Sequence, residues 1–65
     1  MIKKGDFVLH GKETGSVIGV YDKGYFEGKV MSPENRVLCI VMASGSQRLL
    51  WEAEAKKLKK FGKNK

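Results

Sequence analysis

The chain has 65 residues, a net charge of +6, one cysteine and one histidine. So short a chain forms at most one domain, and it buries only about 60% of the surface that its unfolded form exposes. The composition excludes an internal disulfide and leaves a four-ligand zinc site poorly supported, so we expect no metal and no cofactor. Stability should come from a small β-barrel that closes its own edges, or from oligomerisation.

The first half of the chain has the pattern of short β-strands separated by glycine-containing turns. In chain order we expect a strand at residues 6–10, a turn at 11–15, a strand at 16–21, a turn at 22–24 and a turn at 32–35. Gly19 lies inside the second strand, where it indicates a bulge or a sharp bend. Residues 24–31 fit either a glycine-punctuated strand or an ordered loop.

The most apolar strand is predicted at residues 36–43, where seven apolar residues follow one another from Val37. An uninterrupted apolar run indicates a strand that is covered on both faces. One face can point into the barrel, and the other needs a helix, a loop or another subunit. We therefore expect an interface formed by Leu38, Ile40 and Met42.

The segment after this strand leaves two alternatives open. A turn at residues 44–46 and a return strand at 47–51 are followed by good helix formers at 52–61. The spacing of the apolar residues favours one helix over that segment. The alternative is a helical turn at 52–55 and a last short strand at 58–61.

The predicted domain therefore spans residues 1–61, and residues 62–65 are expected to be a frayed basic tail. One contiguous hydrophobic cluster should hold the domain together. The residues expected in that cluster are Phe7, Ile18, Ile40 and Trp51.

All of the net charge lies at the C-terminus. Residues 56–65 contain six lysines and no acid, whereas residues 1–55 contain seven basic and seven acidic side chains. A cationic segment on a neutral body attracts polyanions. Lys3 and Lys4 should join it if the two termini meet at one edge of the barrel. The candidate nucleic-acid contacts are Lys3, Lys4, Arg48, Lys56, Lys57, Lys59, Lys60 and Lys63.

Other side chains add a stacking site but no catalytic site. Tyr25 and Phe26 lie in a glycine-rich segment and are candidates for stacking on bases. His10 has no nucleophile fixed beside it, and Cys39 lies mid-strand among aliphatic residues, where a thiol behaves as a small hydrophobe. We therefore expect no catalytic residues and no enzyme activity.

Three segments resemble a known group of small barrels. Residues 4–8 and 14–20 are similar to the Gly-Asp-x-Val…Gly-x-Val pattern of Tudor-like and KOW-type domains, and residues 41–52 resemble their ending. The resemblance implies a mainly β fold, a five-stranded open barrel with a C-terminal short helix or helical turn. It also implies contact with RNA, ribosomes or RNA polymerase for the KOW type, and recognition of methylated side chains for the Tudor type.

The same opening resembles the type II dihydrofolate reductases, which are tetrameric barrel enzymes. Their active pore uses a Val-Gln-Ile-Tyr segment after the Gly-Ser turn. The corresponding segment here, residues 47–51, reads Gln-Arg-Leu-Leu-Trp. The chemistry of that family is therefore not expected in this chain.

Two functions remain as expectations. The first is a non-enzymatic barrel that binds DNA or RNA, or a machine containing it, through its lysine-rich C-terminus. The alternative is a protein-interaction module, or a small phage-encoded inhibitor of a host protein, that acts as a homo-oligomer through an apolar strand. The single cysteine suits a reducing compartment, and the longest apolar run is shorter than the roughly 20 residues of a membrane span. A cytoplasmic protein that does not contact membranes is expected.

Overall fold

The computed structural model describes residues 2–58, which form a five-stranded antiparallel sheet and a separate two-stranded hairpin. The strands are β1 (Phe7–His10), β2 (Glu13–Tyr21), β3 (Tyr25–Phe26), β4 (Lys29–Val30), β5 (Val37–Met42), β6 (Gln47–Trp51) and β7 (Lys56–Lys57), with a 3₁₀ helix at Glu52–Glu54. The large sheet has the order β6-β5-β2-β1-β7. The mainly β prediction is confirmed, but within residues 2–58 the sheet is open, and seven strands in two sheets replace one five-stranded barrel.

The long strand β2 pairs with β1 on one side and with β5 on the other. Its register with β5 shifts between Val17 and Gly19, which confirms the predicted bulge. Gly15 allows the two strands to approach, because a Cβ there would lie 2.8 Å from the carbonyl oxygen of Val41. Ile18 follows the buried Val17 in the ordinary alternation of faces and is 42% exposed, and the bulge then brings Val20 rather than Gly19 to the core side. The prediction that Ile18 lies in the core is therefore wrong.

The core lies on one face of the sheet and consists of Ile2, Val8, Val17, Leu38, Ile40, Met42 and Leu50. Side chains alternate between the two faces of a strand. The core therefore takes alternate residues of β5, namely Leu38, Ile40 and Met42, which are at most 3% exposed. The interface predicted at these three residues does not lie on the surface of this chain, because the chain itself buries them.

Two other residues predicted in the core, Phe7 and Trp51, lie outside the main hydrophobic cluster. We call the side of the sheet opposite the core the outer face. Phe7 is 37% exposed because the alternation of β1 gives the core position to Val8. Trp51 is buried, but outside the main cluster. Its ring meets Phe26 edge-on with centroids 5.4 Å apart, and its indole N–H donates to Glu27 Oε1 at 3.3 Å. Trp51 thus fastens the β3–β4 hairpin to the sheet.

The C-terminal segment follows the second of the two predicted alternatives more closely. The 3₁₀ helix ends at Glu54, Ala55 is extended, and β7 pairs with β1. A continuous helix over residues 52–61 is therefore wrong, and the last strand begins at Lys56 rather than at Leu58. Pairing with β1 and packing of Ala55 on the core outweigh the local helix propensity. Residues 59–65 lie outside the described residues.

Candidate functional site

The two ends of the described chain meet at one edge of the sheet. The 3₁₀ helix turns the chain away from β6, and β7 then lies beside β1 with Lys57 opposite Val8 and Lys56 opposite Leu9. The backbone N–H of Leu58 donates to the carbonyl oxygen of Phe7 at 3.0 Å and extends this contact. The lysines that begin the C-terminal cluster are therefore held on an edge strand, next to the N-terminal turn.

The N-terminal turn presents two further lysines at this edge. The N–H of Lys3 donates to Asp6 Oδ2 at 2.9 Å, and the N–H of Asp6 donates to the carbonyl oxygen of Lys3 at 3.0 Å. Gly5 adopts φ +98°, a conformation that other residues rarely reach, and its N–H donates to the carbonyl oxygen of Val17 at 2.8 Å. The turn is thus tied to the sheet, and Lys4 at its tip is exposed.

We call Lys3, Lys4, Lys56 and Lys57 the basic edge. Asp6 lies between two of them, with Lys57 Nζ at 3.6 Å and Lys3 Nζ at 4.0 Å. The pKa of Asp6 is lowered, first by the hydrogen bond from the Lys3 N–H and then by the charges of Lys3 and Lys57. No acid within residues 2–58 forms an ion pair with Lys4 or Lys56, so the edge retains a net positive charge.

The remaining predicted cations do not belong to this edge in the described structure. Arg48 lies on β6, at the other end of the strand order, and its guanidinium is 3.1 Å from Glu13. Four strand spacings of the sheet separate β6 from β7, so this candidate contact is not part of the basic edge. The other three predicted contacts lie outside the described residues, namely Lys59, Lys60 and Lys63.

The two aromatic candidates have different surroundings. Tyr25 is 74% exposed on the hairpin, whereas Phe26 is half-buried and packs against Trp51. A ring already packed in this way has less surface left for a base. Of the two predicted stacking residues, only Tyr25 therefore has an open ring.

A second charged cluster was missed by the sequence analysis. Arg36 Nε donates to Glu52 Oε1 at 2.8 Å, and its Nη2 donates to Oε2 at 2.7 Å. The same Nη2 donates to the carbonyl oxygen of Ile2, whose N–H donates to Glu52 Oε2 at 3.2 Å. The pKa of Glu52 is lowered, chiefly by its hydrogen bonds from Arg36. This cluster joins three distant parts of the chain, and no local motif announces it.

The exposed apolar residues of the outer face were not expected from the sequence either. Ile18, Tyr21 and Leu49 are 42%, 50% and 51% exposed. The apolar run of β5 was a correct signal that both faces carry hydrophobic side chains. The error was to assign the outer face to the wrong alternate residues.

The comparisons with known proteins do not identify a family for this chain. Within residues 2–58, no group of three or more His, Cys, Asp or Glu side chains is arranged to hold a metal ion. None of the helices in this part of the chain is long and apolar enough to cross a membrane. No protein-family model, curated protein or solved structure matches the chain significantly. A proposal about function therefore rests on the residues and their geometry.

Proposed function

We propose that the protein is a non-enzymatic β module that binds nucleic acid, or an assembly containing it, through the basic edge. One observation carries the proposal: β7 holds Lys56 and Lys57 beside the turn that carries Lys3 and Lys4, with only Asp6 between them. The sequence continues from this edge with four more lysines and no acid. The edge is thus the point from which a cationic segment starts.

Phosphate is the chemistry that such a surface recognises. Lysines that neutralise phosphates release counterions, so the affinity should fall steeply with salt and depend little on sequence. The proposal covers DNA and RNA alike, because backbone phosphates are common to both.

The fold supports the same proposal at a coarser level. The antiparallel order β6-β5-β2-β1-β7, with a 3₁₀ helix before the last strand, is compatible with a Tudor-like or KOW-type barrel. KOW-type domains often contact RNA, ribosomes or RNA polymerase. The fold alone does not define the partner, because one fold serves many functions.

A matched pair of triple variants tests the proposal. One variant replaces Lys4, Lys56 and Lys57 with Gln, and the control replaces Lys12, Lys23 and Lys29, so each loses three exposed charges. Affinity for single-stranded and duplex oligonucleotides is measured at several salt concentrations. We expect only the first variant to bind weakly, with a salt slope flatter by about 0.9 for each duplex phosphate that it no longer neutralises.

Two results contradict the proposal. The first is an equal loss of affinity in both variants, which would mean that net charge alone drives binding. The second is the lack of any binding by the native protein at low salt. A protein-interaction module then becomes the better account, and the exposed apolar residues Ile18, Tyr21 and Leu49 favour that second candidate function.

A further inference from the structure

The edge strand β6 is an open end of the sheet. It pairs with β5 on one side, and within residues 2–58 no strand pairs with its other side. An open edge presents unpaired N–H and C=O groups on which another strand can add. The question is which residues of β6 present those groups.

The hydrogen bonds at the two ends of the β5–β6 ladder answer it. The N–H of Met42 donates to the carbonyl oxygen of Ser46 at 2.7 Å. The N–H of Glu52 donates to the carbonyl oxygen of Arg36 at 2.8 Å. These two pairs belong to one continuous register without a bulge. In an antiparallel ladder, hydrogen-bonded and non-hydrogen-bonded pairs alternate. The even-numbered residues of β6 are therefore the ones bonded to β5.

The odd-numbered residues accordingly point their backbone groups away from β5. Arg48 and Leu50 bond to β5, whereas the N–H and C=O groups of Gln47 and Leu49 face the open edge. No backbone partner is found for these groups in the part of the chain that the structure describes. The unpaired groups are thus centred on Leu49.

We propose that β6 pairs antiparallel with β6 of a second copy, with the two Leu49 residues facing each other across a two-fold axis. In this register each Leu49 exchanges an N–H···O=C bond with its counterpart. Gln47 then lies opposite Trp51 of the other copy, so that odd-numbered residues meet odd-numbered ones throughout. The two sheets become one continuous sheet. This inference does not depend on the proposed nucleic-acid binding.

The side chains of the outer face favour a second copy as the added strand. Leu49 is 51% exposed and is paired in register with Cys39, and Tyr21, which is paired with Val37, is exposed on the same side. Pairing about Leu49 joins two such faces into a single apolar surface. Burying both leucines against each other removes apolar area from water.

The charges also permit this contact. Arg48 lies on the other side of β6, faces Leu50 of the second copy in this register, and is already paired with Glu13 at 3.1 Å. The basic edge lies at the far end of the strand order. The net charge therefore does not accumulate at the contact.

The full chain is tested by sedimentation equilibrium at concentrations up to about 1 mM. Leu49→Lys places two like charges at the axis and should give a monomer, whereas the native chain should reach twice the monomer mass. Val30→Lys is the control, because Val30 is 56% exposed on the hairpin and its substitution should leave the dimer intact. A native chain that stays monomeric, or a Leu49→Lys variant that still dimerises, overturns the proposal.

A disulfide test checks the register. In a Cys39→Ser background, Leu49→Cys should give a cross-linked dimer under mild oxidation, because facing Cα atoms of a bonded pair lie about 5.5 Å apart, within disulfide range. Arg48→Cys in the same background should cross-link far less. Equal cross-linking of both variants, or none at Leu49→Cys, contradicts pairing about Leu49.

Discussion

Two of the charged clusters within residues 2–58 use charge in different ways. In one, Arg36 and Glu52 match each other charge for charge and form two side-chain hydrogen bonds, with side chains only 12% and 24% exposed. In the other, the single carboxylate of Asp6 faces Lys3 and Lys57, which are 76% and 42% exposed. Removing one partner of a matched and covered pair leaves an uncompensated charge, whereas exposed charges contribute little to stability.

The position of each cluster in the chain agrees with this difference. Glu52 accepts the N–H of Ile2, a core residue, so the Arg36–Glu52 cluster anchors the N-terminus against the start of β5. The basic edge lies on β7 and on the turn before β1, where substitutions to Gln remove charge without opening the core. Variants of the two clusters and their neighbours should separate these roles, beginning with the largest effect on stability.

The largest loss of stability is expected at Trp51, which directly precedes Glu52 of the Arg36–Glu52 cluster. Trp51→Ala removes a buried ring and its contact with Phe26, and should lower the free energy of unfolding by about 3–5 kcal/mol. In so short a chain this leaves little folded protein. Chemical denaturation of Trp51→Ala and of the exposed control Tyr25→Ala gives the comparison. An unchanged midpoint in Trp51→Ala would show that the tryptophan does not hold the hairpin.

The next largest loss of stability is expected when the carboxylate of the Arg36–Glu52 cluster is replaced. Glu52→Gln leaves the Arg36 guanidinium without its matching charge and should destabilise the protein by about 1.5–3 kcal/mol. The control is Glu54→Gln, because Glu54 is exposed on the same 3₁₀ helix and forms no ion pair within residues 2–58. Urea denaturation measures both variants. Equal stabilities would mean that the Arg36–Glu52 cluster contributes nothing.

Lowering the pH should remove the contribution of the Arg36–Glu52 cluster to stability without any mutation. Arg36 lowers the pKa of Glu52 below its ordinary value of 4.5, and Lys3 and Lys57 contribute to lowering that of Asp6 below 3.8. The unfolded chain therefore binds protons more readily, and stability is present above these ordinary values and lost as the pH falls through the lower folded ones. Stability curves from about pH 6 to about pH 2 should be flatter for Glu52→Gln than for the native protein. Parallel curves would contradict this assignment.

The smallest effect on stability is expected at the lysine-rich C-terminus. Deleting residues 62–65 removes two lysines, so binding to an oligonucleotide should weaken modestly while the unfolding midpoint stays unchanged. The same salt titration measures the binding. If the deletion abolishes binding completely, the C-terminal residues and not the basic edge carry the affinity.

The sequence revealed features that depend on local chemistry. The positions of β1 and of most of β2, the bulge at Gly19 and the apolar character of β5 follow from residue type and period, but β2 begins at Glu13, inside the turn predicted at residues 11–15. The sequence also suggested that Lys3 and Lys4 would join the C-terminal lysines if the two termini met at one edge, and Lys3 and Lys57 do lie on either side of Asp6.

Features that depend on the pairing of distant residues were not recoverable in the same way. The face of Ile18 depends on Val17 taking the core position before it, and the face of Leu38 depends on which side of β5 the core occupies. Lys56 and Lys57 have a helical pattern in the sequence, yet β1 offers them an edge to pair with. The contact of Arg36 with Glu52 likewise depends on the pairing of β5 with β6.

The central claim is that the unmatched charges of the basic edge form the ligand surface. The most direct test is an amide chemical-shift titration of the full chain with a short oligonucleotide at low salt. We predict the largest shifts at Lys3, Lys4, Lys56 and Lys57, and small shifts at Arg36 and Glu52. The shifts at the four lysines should disappear as salt is added. Shifts centred on β6 or on the β3–β4 hairpin, or shifts that persist unchanged at high salt, would contradict the account.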